Sequence, residues 1–159
     1  MKKYEFTGEV KVVWGRTLHQ IKAMVAFGNV GAGEIGGWIE REENLAQDGN
    51  AWVYGNARVY GNARVYGNAE VYGNAWVYGN KHWLGIACIG SRNGFTTFFR
   101  TKEKKIYVSC GCFHGDIDEF AAKVKRTHGD NEHAKAYMLA IELAKLRIDL
   151  TEENKNGTD

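Results

Sequence analysis

Hydrophobic and polar positions follow a strict six-residue period through the middle of the chain. Five consecutive hexads, opening at Ala51, Ala57, Ala63, Ala69 and Ala75, read Ala-x-Val-Tyr-Gly-Asn, and only the second residue varies. A period this regular predicts a repeat architecture. In an extended strand the Ala and the Val point to one side, and the variable residue and the Tyr point to the other. The pattern therefore predicts short strands with one apolar side.

Two arrangements of these strands are consistent with the Gly-Asn pairs between them. In an antiparallel meander, Val53 would lie opposite Arg58 and Val59 opposite Arg64, so charges and valines would share both faces of the sheet. In a parallel coil, each hexad is one strand and one corner, and every Ala and Val faces inward. We therefore predict a parallel coil in which residues eighteen apart, such as Val53 and Val71, stack at roughly 4.8 Å, the ordinary spacing between strands.

The Ala-x-Val phrase resembles the motif of the hexapeptide-repeat families, which fold as left-handed parallel β-helices. The left hand is implied by this resemblance alone, because parallel crossovers are otherwise almost always right-handed. The six-residue step continues from about Ile39 to about Ile89, with Trp83 and Ile89 in inward positions and Gln47 in place of a valine in a capping turn. The predicted coil is about three turns long, so we expect a cap at each end.

The residues before the coil alternate as strands and predict an N-terminal β cap over its first turn. The run Ile21–Phe27 is also consistent with a short helix, because apolar runs of this length are ambiguous. The predicted fold is mainly β, a short left-handed parallel β-helix between a β cap and an α+β domain. Its parts are the cap (1–38), the hexapeptide-repeat β-helix (39–90), the α+β domain (91–150) and a disordered tail (151–159).

The predicted α+β domain consists of a β-hairpin and two helices. Two alternating runs, 94–100 and 105–110, predict the hairpin. Asp116 and Glu119 form a capping box at the start of the first helix, and the second helix begins at Asp130 or Asn131. The inward side of the second helix is predicted to contain Ala134, Tyr137, Met138, Ile141, Ala144 and Ile148.

Composition and charge exclude several classes of partner. The chain has 159 residues, a net charge of +2 and three cysteines. With so small a positive charge, we do not expect a nucleic acid or a membrane surface as a partner. Cysteines without a secretory spacing predict a reducing compartment, and there is no apolar signal or membrane segment. We therefore expect a soluble, cytoplasmic protein without a cofactor.

Phrases at both ends of the chain point to an origin. The opening, from Lys3-Tyr-Glu-Phe through Leu18-His-Gln-Ile to Gly36-Gly-Trp-Ile, resembles hexapeptide-repeat proteins encoded by bacteriophages and prophages. The phrases Gly-Ser-Arg, Cys-Gly-Cys-Phe and His-Gly-Asp resemble a small domain at the carboxyl end of phage proteins. The resemblance implies an accessory protein in the cytoplasm of a host bacterium. From that origin we expect a non-enzymatic binding protein that antagonises host defence by binding a nucleotide-like signal or a host protein.

The outward side of the hexads carries many aromatic rings. We predict that they form the interface of a homo-oligomer, with a trimer favoured, since Tyr and Trp suit interfaces. The predicted interface residues are Trp52, Tyr54, Tyr60, Tyr66, Tyr72 and Tyr78. Arg58 is predicted to stack on Trp76, a cation–π pair worth about 0.5–1 kcal/mol. These two residues and Arg64 could instead bind a planar or anionic ligand.

A polar loop between glycines, residues 90–94, joins the two predicted units. Its Ser91, Arg92 and Asn93, with Arg100 nearby, are candidates for a small anionic or nucleotide ligand held between subunits. The alternative is an ordinary connecting turn.

Two further groups of residues could carry chemistry. Cys110, Cys112 and His114 alternate along one predicted strand and are the candidate ligands of a metal, although two thiols packed as small hydrophobes explain them as well, and we predict no metal site. The β-helix acyltransferases are the enzymatic relatives that the repeat implies, with a histidine as general base and an acyl-CoA donor. His82 is the histidine in the repeat register and the candidate for that role. Its alternative is a surface residue beside Arg64.

Overall fold

The computed structural model describes residues 1–151, a mainly β chain with two helices at its carboxyl end. Residues 152–159, which hold nearly all of the predicted tail, lie outside the described residues. The strands are β1 (Tyr4–Val13), β2 (Arg16–Ala23), β3 (Ile35–Ile39), β4 (Trp52–Val53), β5 (Arg58–Val59), β6 (Glu70–Val71), β7 (Trp76–Val77), β8 (Trp83–Ile89), β9 (Gly94–Arg100), β10 (Ile106–Cys110) and β11 (Phe113–Asp116). The helices are α1 (Ile117–His128) and α2 (Glu132–Arg147), and short 3-10 turns occupy Glu42–Asn44 and Asn80–His82.

The hexads pair in parallel, eighteen residues apart. Val53 in β4 is the partner of Val71 in β6, and Val59 in β5 is the partner of Val77 in β7. The antiparallel alternative is therefore excluded, and the predicted register is confirmed at these strands. Every hexad Ala and Val is buried, as the alternation predicts: Ala51, Val53, Ala57, Val59, Ala63, Val65, Ala69, Val71, Ala75 and Val77.

The N-terminal strands extend the hexad region into a mixed sheet with the order β1-β2-β3-β5-β7. β1 and β2 are an antiparallel hairpin, so the first part of Ile21–Phe27 is strand and not helix. Gln47, the residue in the valine position, fixes the start of β1. Its side-chain oxygen accepts hydrogen bonds from the backbone N–H groups of Lys3 (2.8 Å) and Tyr4 (3.3 Å), and its amide donates to the Tyr4 carbonyl (3.3 Å). The polar residue thus ties the N-terminal strands to the hexads.

β3 approaches the hexads so closely that only glycine fits. A Cβ on Gly37 would lie 2.7 Å from the Ala57 carbonyl oxygen and 2.8 Å from a methyl carbon of Val53. Neither contact is relieved by a side-chain rotation alone, since one partner is backbone and the other is buried.

Gly37→Ala is therefore expected to lower the free energy of unfolding by about 2 kcal/mol, the usual cost of overpacking. Gly31→Ala is the matched control, because a Cβ there meets no atom within 4 Å. Urea denaturation of both variants measures the difference. Equal stabilities would contradict the close approach of β3 to the hexads.

The six-residue step ends before Trp83, and its predicted extension to Ile89 is wrong. Residues 83–89 form β8, a seven-residue strand that pairs antiparallel with β9. The physical reason lies in residues 81–92, where Lys81 replaces the small opening residue of the first hexad and neither hexad ends in a Gly-Asn corner. At Gly85 a Cβ would meet the Phe95 ring at 2.5 Å, so this strand is covered by an aromatic side chain instead of stacking on another hexad.

The second sheet has the order β11-β10-β9-β8 and carries both helices. The predicted hairpin of β9 and β10 is confirmed. So is the capping box of α1, in which Asp116 accepts from the Glu119 N–H at 2.8 Å and Glu119 accepts from the Asp116 N–H at 3.1 Å. α2 begins after Asn131, as predicted, but Met138 is 41% exposed and does not face inward. Among the described residues, no helix is both long enough and apolar enough to cross a bilayer.

Candidate functional site: a cleft between two hairpin turns and the helices

A cleft of about 560 Å³ opens where the second sheet meets α1 and the edge of the hexads. Two turns border it, the β8–β9 turn with Ser91 and Arg92 and the β10–β11 turn with Gly111 and Cys112. The volume falls within the range of about 300–1,000 Å³ that small-molecule sites occupy. Its remaining lining residues are Asn29, Asn68, Glu70, Ile89, Gly94, Phe95, Cys110, Phe113, Phe120, Lys123, Val124, Thr127, His128 and Tyr137.

Aromatic side chains give the cleft an apolar floor. Phe120 of α1 is buried and meets the ring of Tyr137 edge to face, with centroids 5.4 Å apart. Phe113 packs against Phe120 with ring centroids 5.3 Å apart. Phe95, half-buried on β9, completes the apolar surface. The rings of Phe113, Phe120 and Tyr137 pack in the core of the second sheet, whereas Phe95 packs against the core of the hexads, so both cores support the floor.

The hydroxyl groups of Thr96 and Tyr137 meet the thiol of Cys110 at this floor. The Thr96 hydroxyl donates a hydrogen bond to the Cys110 sulfur at 3.2 Å, and the Tyr137 hydroxyl is 3.6 Å from the same sulfur. Burial raises the pKa of Tyr137 above its ordinary value, and the bond to Cys110 acts in the same direction. The phenol therefore stays protonated at neutral pH and remains a hydrogen-bond donor at the floor.

The charged side chains that line the cleft differ in their partners. Ser109 donates to one carboxylate oxygen of Glu70 at 2.7 Å and Tyr54 donates to the other at 3.3 Å, and these neutral donors do not cancel its charge. Arg92 and Lys123 are exposed, and neither forms an ion pair with another described residue. The cleft thus offers two cations without an ion-pair partner beside an apolar floor.

Part of the predicted loop site, residues 90–94, lines the cleft. Ser91 and Arg92 line the cleft. Asn93 is exposed in the same turn with φ +51°, but it is not among the lining residues. Arg100 lies elsewhere, and its predicted proximity to the loop is not found.

Arg100 is instead buried beside the end of the described chain. Its guanidinium donates to the Thr151 carbonyl at 3.0 Å and lies 5.4 Å from the centre of the Tyr78 ring. Its remaining nitrogens, Nε and Nη1, have no hydrogen-bond partner among the described residues. Its surroundings include the neutral ring of His82 and the Tyr78 ring, and Arg100 does not line the cleft.

The hexad candidates Arg58, Arg64 and Trp76 lie away from the cleft. The Arg58 guanidinium stacks 5.1 Å above the Trp76 ring, as predicted, and Trp14 from the β1–β2 turn meets that ring edge-on at 5.3 Å. Arg64 is exposed and lines a separate, polar cavity of about 410 Å³ with Arg41. The cleft therefore takes none of its cations from the hexads.

The predicted exposure of the interface rings is wrong for Trp52, Tyr60 and Tyr78. Trp52 is fully buried, because the N-terminal strands place Tyr4 and Phe27 against it. Tyr60 and Tyr78 stack on each other at 5.2 Å and are buried with Leu18. These three rings point outward from the hexads, as the alternation requires, but another part of the same chain covers them.

The other three tyrosines differ in exposure. Tyr54 and Tyr72 are half-buried, and the Tyr72 hydroxyl donates to the Val108 carbonyl at 3.0 Å. Tyr66 is 60% exposed, with its ring edge-on to Trp83. Tyr66 is therefore the predicted interface residue that presents most of its ring to solvent, and the interface itself stays a prediction.

His82 is buried, and its predicted place on the surface is wrong. Its Nδ1 accepts a hydrogen bond from the Tyr78 backbone N–H at 3.2 Å, and its ring packs against the Tyr78 ring at 4.2 Å. Burial, with the neighbouring charge of Arg100, lowers the pKa of His82 to about 4. The imidazole is neutral at physiological pH, but its accepting nitrogen is already occupied by the backbone. A general base needs that lone pair free and within reach of a substrate.

The candidate metal ligands do not converge. Cys110 ends β10, Cys112 lies in the turn and His114 is in β11, so the three residues are not on one strand. His114 is exposed and packs against the Tyr72 ring at 4.5 Å. Within residues 1–151, no three His, Cys, Asp or Glu side chains are grouped as a metal site would require.

Several residues of the cleft were not predicted as site residues. Lys123, Phe113 and Phe120 line it. The sequence shows Phe120 as part of an apolar helical stripe, which is also the pattern of an ordinary core residue. A lysine on the polar side of a helix carries no distinguishing signal, so only the packing of α1 beside the two turns identifies Lys123.

Comparison with known proteins gives a short match. The chain is 57% identical over 37 residues to a protein of Escherichia coli strain K12 named "Uncharacterized acetyltransferase YdcK". The matched segment is 23% of this chain and 11% of that protein, so the chain spans about a tenth of its relative. No family model matches the chain.

Proposed function

We propose that this chain is a non-enzymatic binding protein whose cleft takes up a small molecule with a flat, apolar body. The observation that carries the proposal is the aromatic floor of Phe95, Phe113, Phe120 and Tyr137 within a cleft of suitable volume. Aromatic rings on the floor favour a planar ligand, because ring stacking adds to the burial of apolar surface.

The hexads are proposed to form a short left-handed parallel β-helix that serves as the platform of this site. Parallel pairing of residues eighteen apart supports the coil, and Asn68 and Glu70 bring its edge to the cleft. The left hand comes from the family resemblance of the repeat. The platform role rests on Asn68 and Glu70, the hexad residues that line the cleft.

The proposal is tested with adenosine, a flat and uncharged probe, by ligand-observed NMR. Gly94 lines the cleft, and a Cβ there meets no atom within 4 Å, so Gly94→Phe introduces a ring without a backbone clash. We expect the unmodified chain to bind adenosine and Gly94→Phe to lose that binding. Gly31→Phe is the control, since its Cβ is equally unobstructed and it does not line the cleft. Binding that survives Gly94→Phe would contradict the cleft as the site.

A second candidate function is acyl transfer from an acyl-CoA donor. The short match to a protein named as an acetyltransferase favours it. His82 is buried and hydrogen-bonded, which opposes its role as the general base of such a reaction. Incubation with acetyl-CoA and a panel of amines and alcohols tests the reaction. Release of free CoA above the background of hydrolysis would favour this candidate over simple binding.

Self-association and action against host defence are further parts of the proposal that rest on the sequence. We expect a trimer in solution, and light scattering coupled to size exclusion measures it. Because Trp52, Tyr60 and Tyr78 are buried within the chain, Tyr66→Ser is the informative interface variant. A monomer at every accessible concentration would contradict the trimer.

A further inference from the structure

We infer that the ligand of the cleft is a phosphate monoester attached to a flat ring. The inference rests on the proposed function and adds the chemical class of the ligand. Its basis is the coexistence of two cations without an ion-pair partner among the described residues and an aromatic floor within one cleft.

The cations come from two different elements. Arg92 belongs to the β8–β9 turn and Lys123 to the middle of α1, and both border the same cleft. Cationic side chains on a protein surface are usually solvated, but two that border a concave apolar site raise the local potential for an anion. Glu70 adds one negative charge to the lining, so these three side chains sum to a net charge of +1. Its oxygens accept hydrogen bonds from Ser109 and Tyr54, and it forms no ion pair with Arg92 or Lys123.

A phosphate monoester fits these two cations better than a carboxylate does. It has three strong acceptor oxygens, so one group can accept from Arg92 and Lys123 together, and its charge at pH 7 is about −1.5 to −2. The guanidinium of an arginine can donate two parallel hydrogen bonds to such a group, and a lysine contributes a compact point charge. A carboxylate has only two oxygens, and a bidentate contact with Arg92 would already engage both.

The remaining walls suit the body of such a ligand. Phe95 and Phe113 offer faces or edges against which a ring can pack. The amides of Asn29 and Asn68, on the opposite wall, both donate and accept hydrogen bonds and so can bind hydroxyl groups. A ring that carries hydroxyl groups and a phosphate therefore uses every wall of the cleft.

The experiment compares adenosine monophosphate with adenosine by isothermal titration calorimetry at constant ionic strength. We expect the phosphate to tighten binding by about 10- to 100-fold, the range of one or two charged hydrogen bonds. Arg92→Gln is expected to weaken adenosine monophosphate binding by about tenfold more than it weakens adenosine binding, and Lys123→Gln to do so by a smaller factor. Arg64→Gln, an exposed arginine of the other cavity, is the control and should change neither.

The outcomes distinguish failure of the phosphate inference from failure of the proposed function. Equal affinities for the two compounds, or an Arg92→Gln variant that binds the phosphate normally, overturns the phosphate inference. The proposed function survives that result if adenosine binding still depends on Gly94. If the unmodified chain binds neither adenosine nor adenosine monophosphate, the proposed function and the phosphate inference are both overturned. Phenyl phosphate and benzoate are the last pair of probes. Equal affinities for these two compounds would show that the cleft takes any organic anion, and would overturn the phosphate inference.

Discussion

Trp52→Ala is expected to lower the free energy of unfolding by about 4 kcal/mol, near the upper part of the range for large-to-small core substitutions. The side chain is fully buried between Tyr4 and Phe27, and a Cβ on Gly36 would lie only 2.5 Å from its ring. Its indole N–H has no hydrogen-bond partner among the described residues, so truncation removes packing and leaves no polar partner unsatisfied. Loss of the ring opens a cavity at the contact between the N-terminal strands and the hexads.

Tyr66→Ala is the matched control, since it removes a hexad aromatic ring that is 60% exposed. We expect that variant to lose less than about 1 kcal/mol, as surface substitutions do. Urea denaturation at two protein concentrations measures both variants. A Trp52→Ala loss that grew with dilution would assign the ring to a subunit interface, contrary to its burial within one chain.

The second large effect is on the pH dependence of stability. The pKa of His82 in the folded chain is about 4, against an ordinary value of 6.5, because burial and the charge of Arg100 disfavour the cation. Between these two values the unfolded chain binds more protons than the folded chain, so unfolding is favoured as the pH falls. The stabilisation is fully present above pH 6.5 and is lost as the pH falls through 4. The shift corresponds to about 3 kcal/mol.

His82→Asn isolates this contribution. The asparagine side-chain oxygen can replace Nδ1 as acceptor for the Tyr78 N–H, but it does not titrate. Thermal or urea unfolding of both proteins from pH 7 to pH 4 gives the two slopes. We expect the slope of the variant to be smaller, since carboxylates contribute equally to both. Identical slopes would show that His82 titrates normally and is not buried.

The strict period made the hexads predictable. Ala and Val recur at fixed positions, and strand geometry alone assigns them to one side. The same alternation predicts that Trp52 and Tyr60 leave the opposite side, which is correct, but it does not say what lies beyond them. Coverage by β1 and β2 depends on contacts between distant residues, such as Tyr4 with Trp52. The direction of a side chain follows from local strand geometry, whereas the burial of an outward side chain depends on the whole fold.

The cleft was predictable only at its loop. Ser91 and Arg92 stand between glycines, a pattern that indicates an exposed polar turn, and both line the cleft. Phe113 and Phe120 look like core residues, and Lys123 looks like any solvated lysine. Their role depends on α1 lying beside the turns, which periodicity does not reveal. His82 shows the converse error, because its register predicts the surface while the 3-10 turn Asn80–His82 directs its ring inward against Tyr78.

One wall of the cleft contains Asn29, Asn68 and Glu70, and the other walls are formed by residues between Ile89 and Tyr137. A nascent chain that has emerged only as far as the hexads therefore has one wall of the proposed site and lacks the others. The proposed ligand could be bound only after α1 and α2 have docked on the second sheet, so its capture would report that this part of the chain has folded.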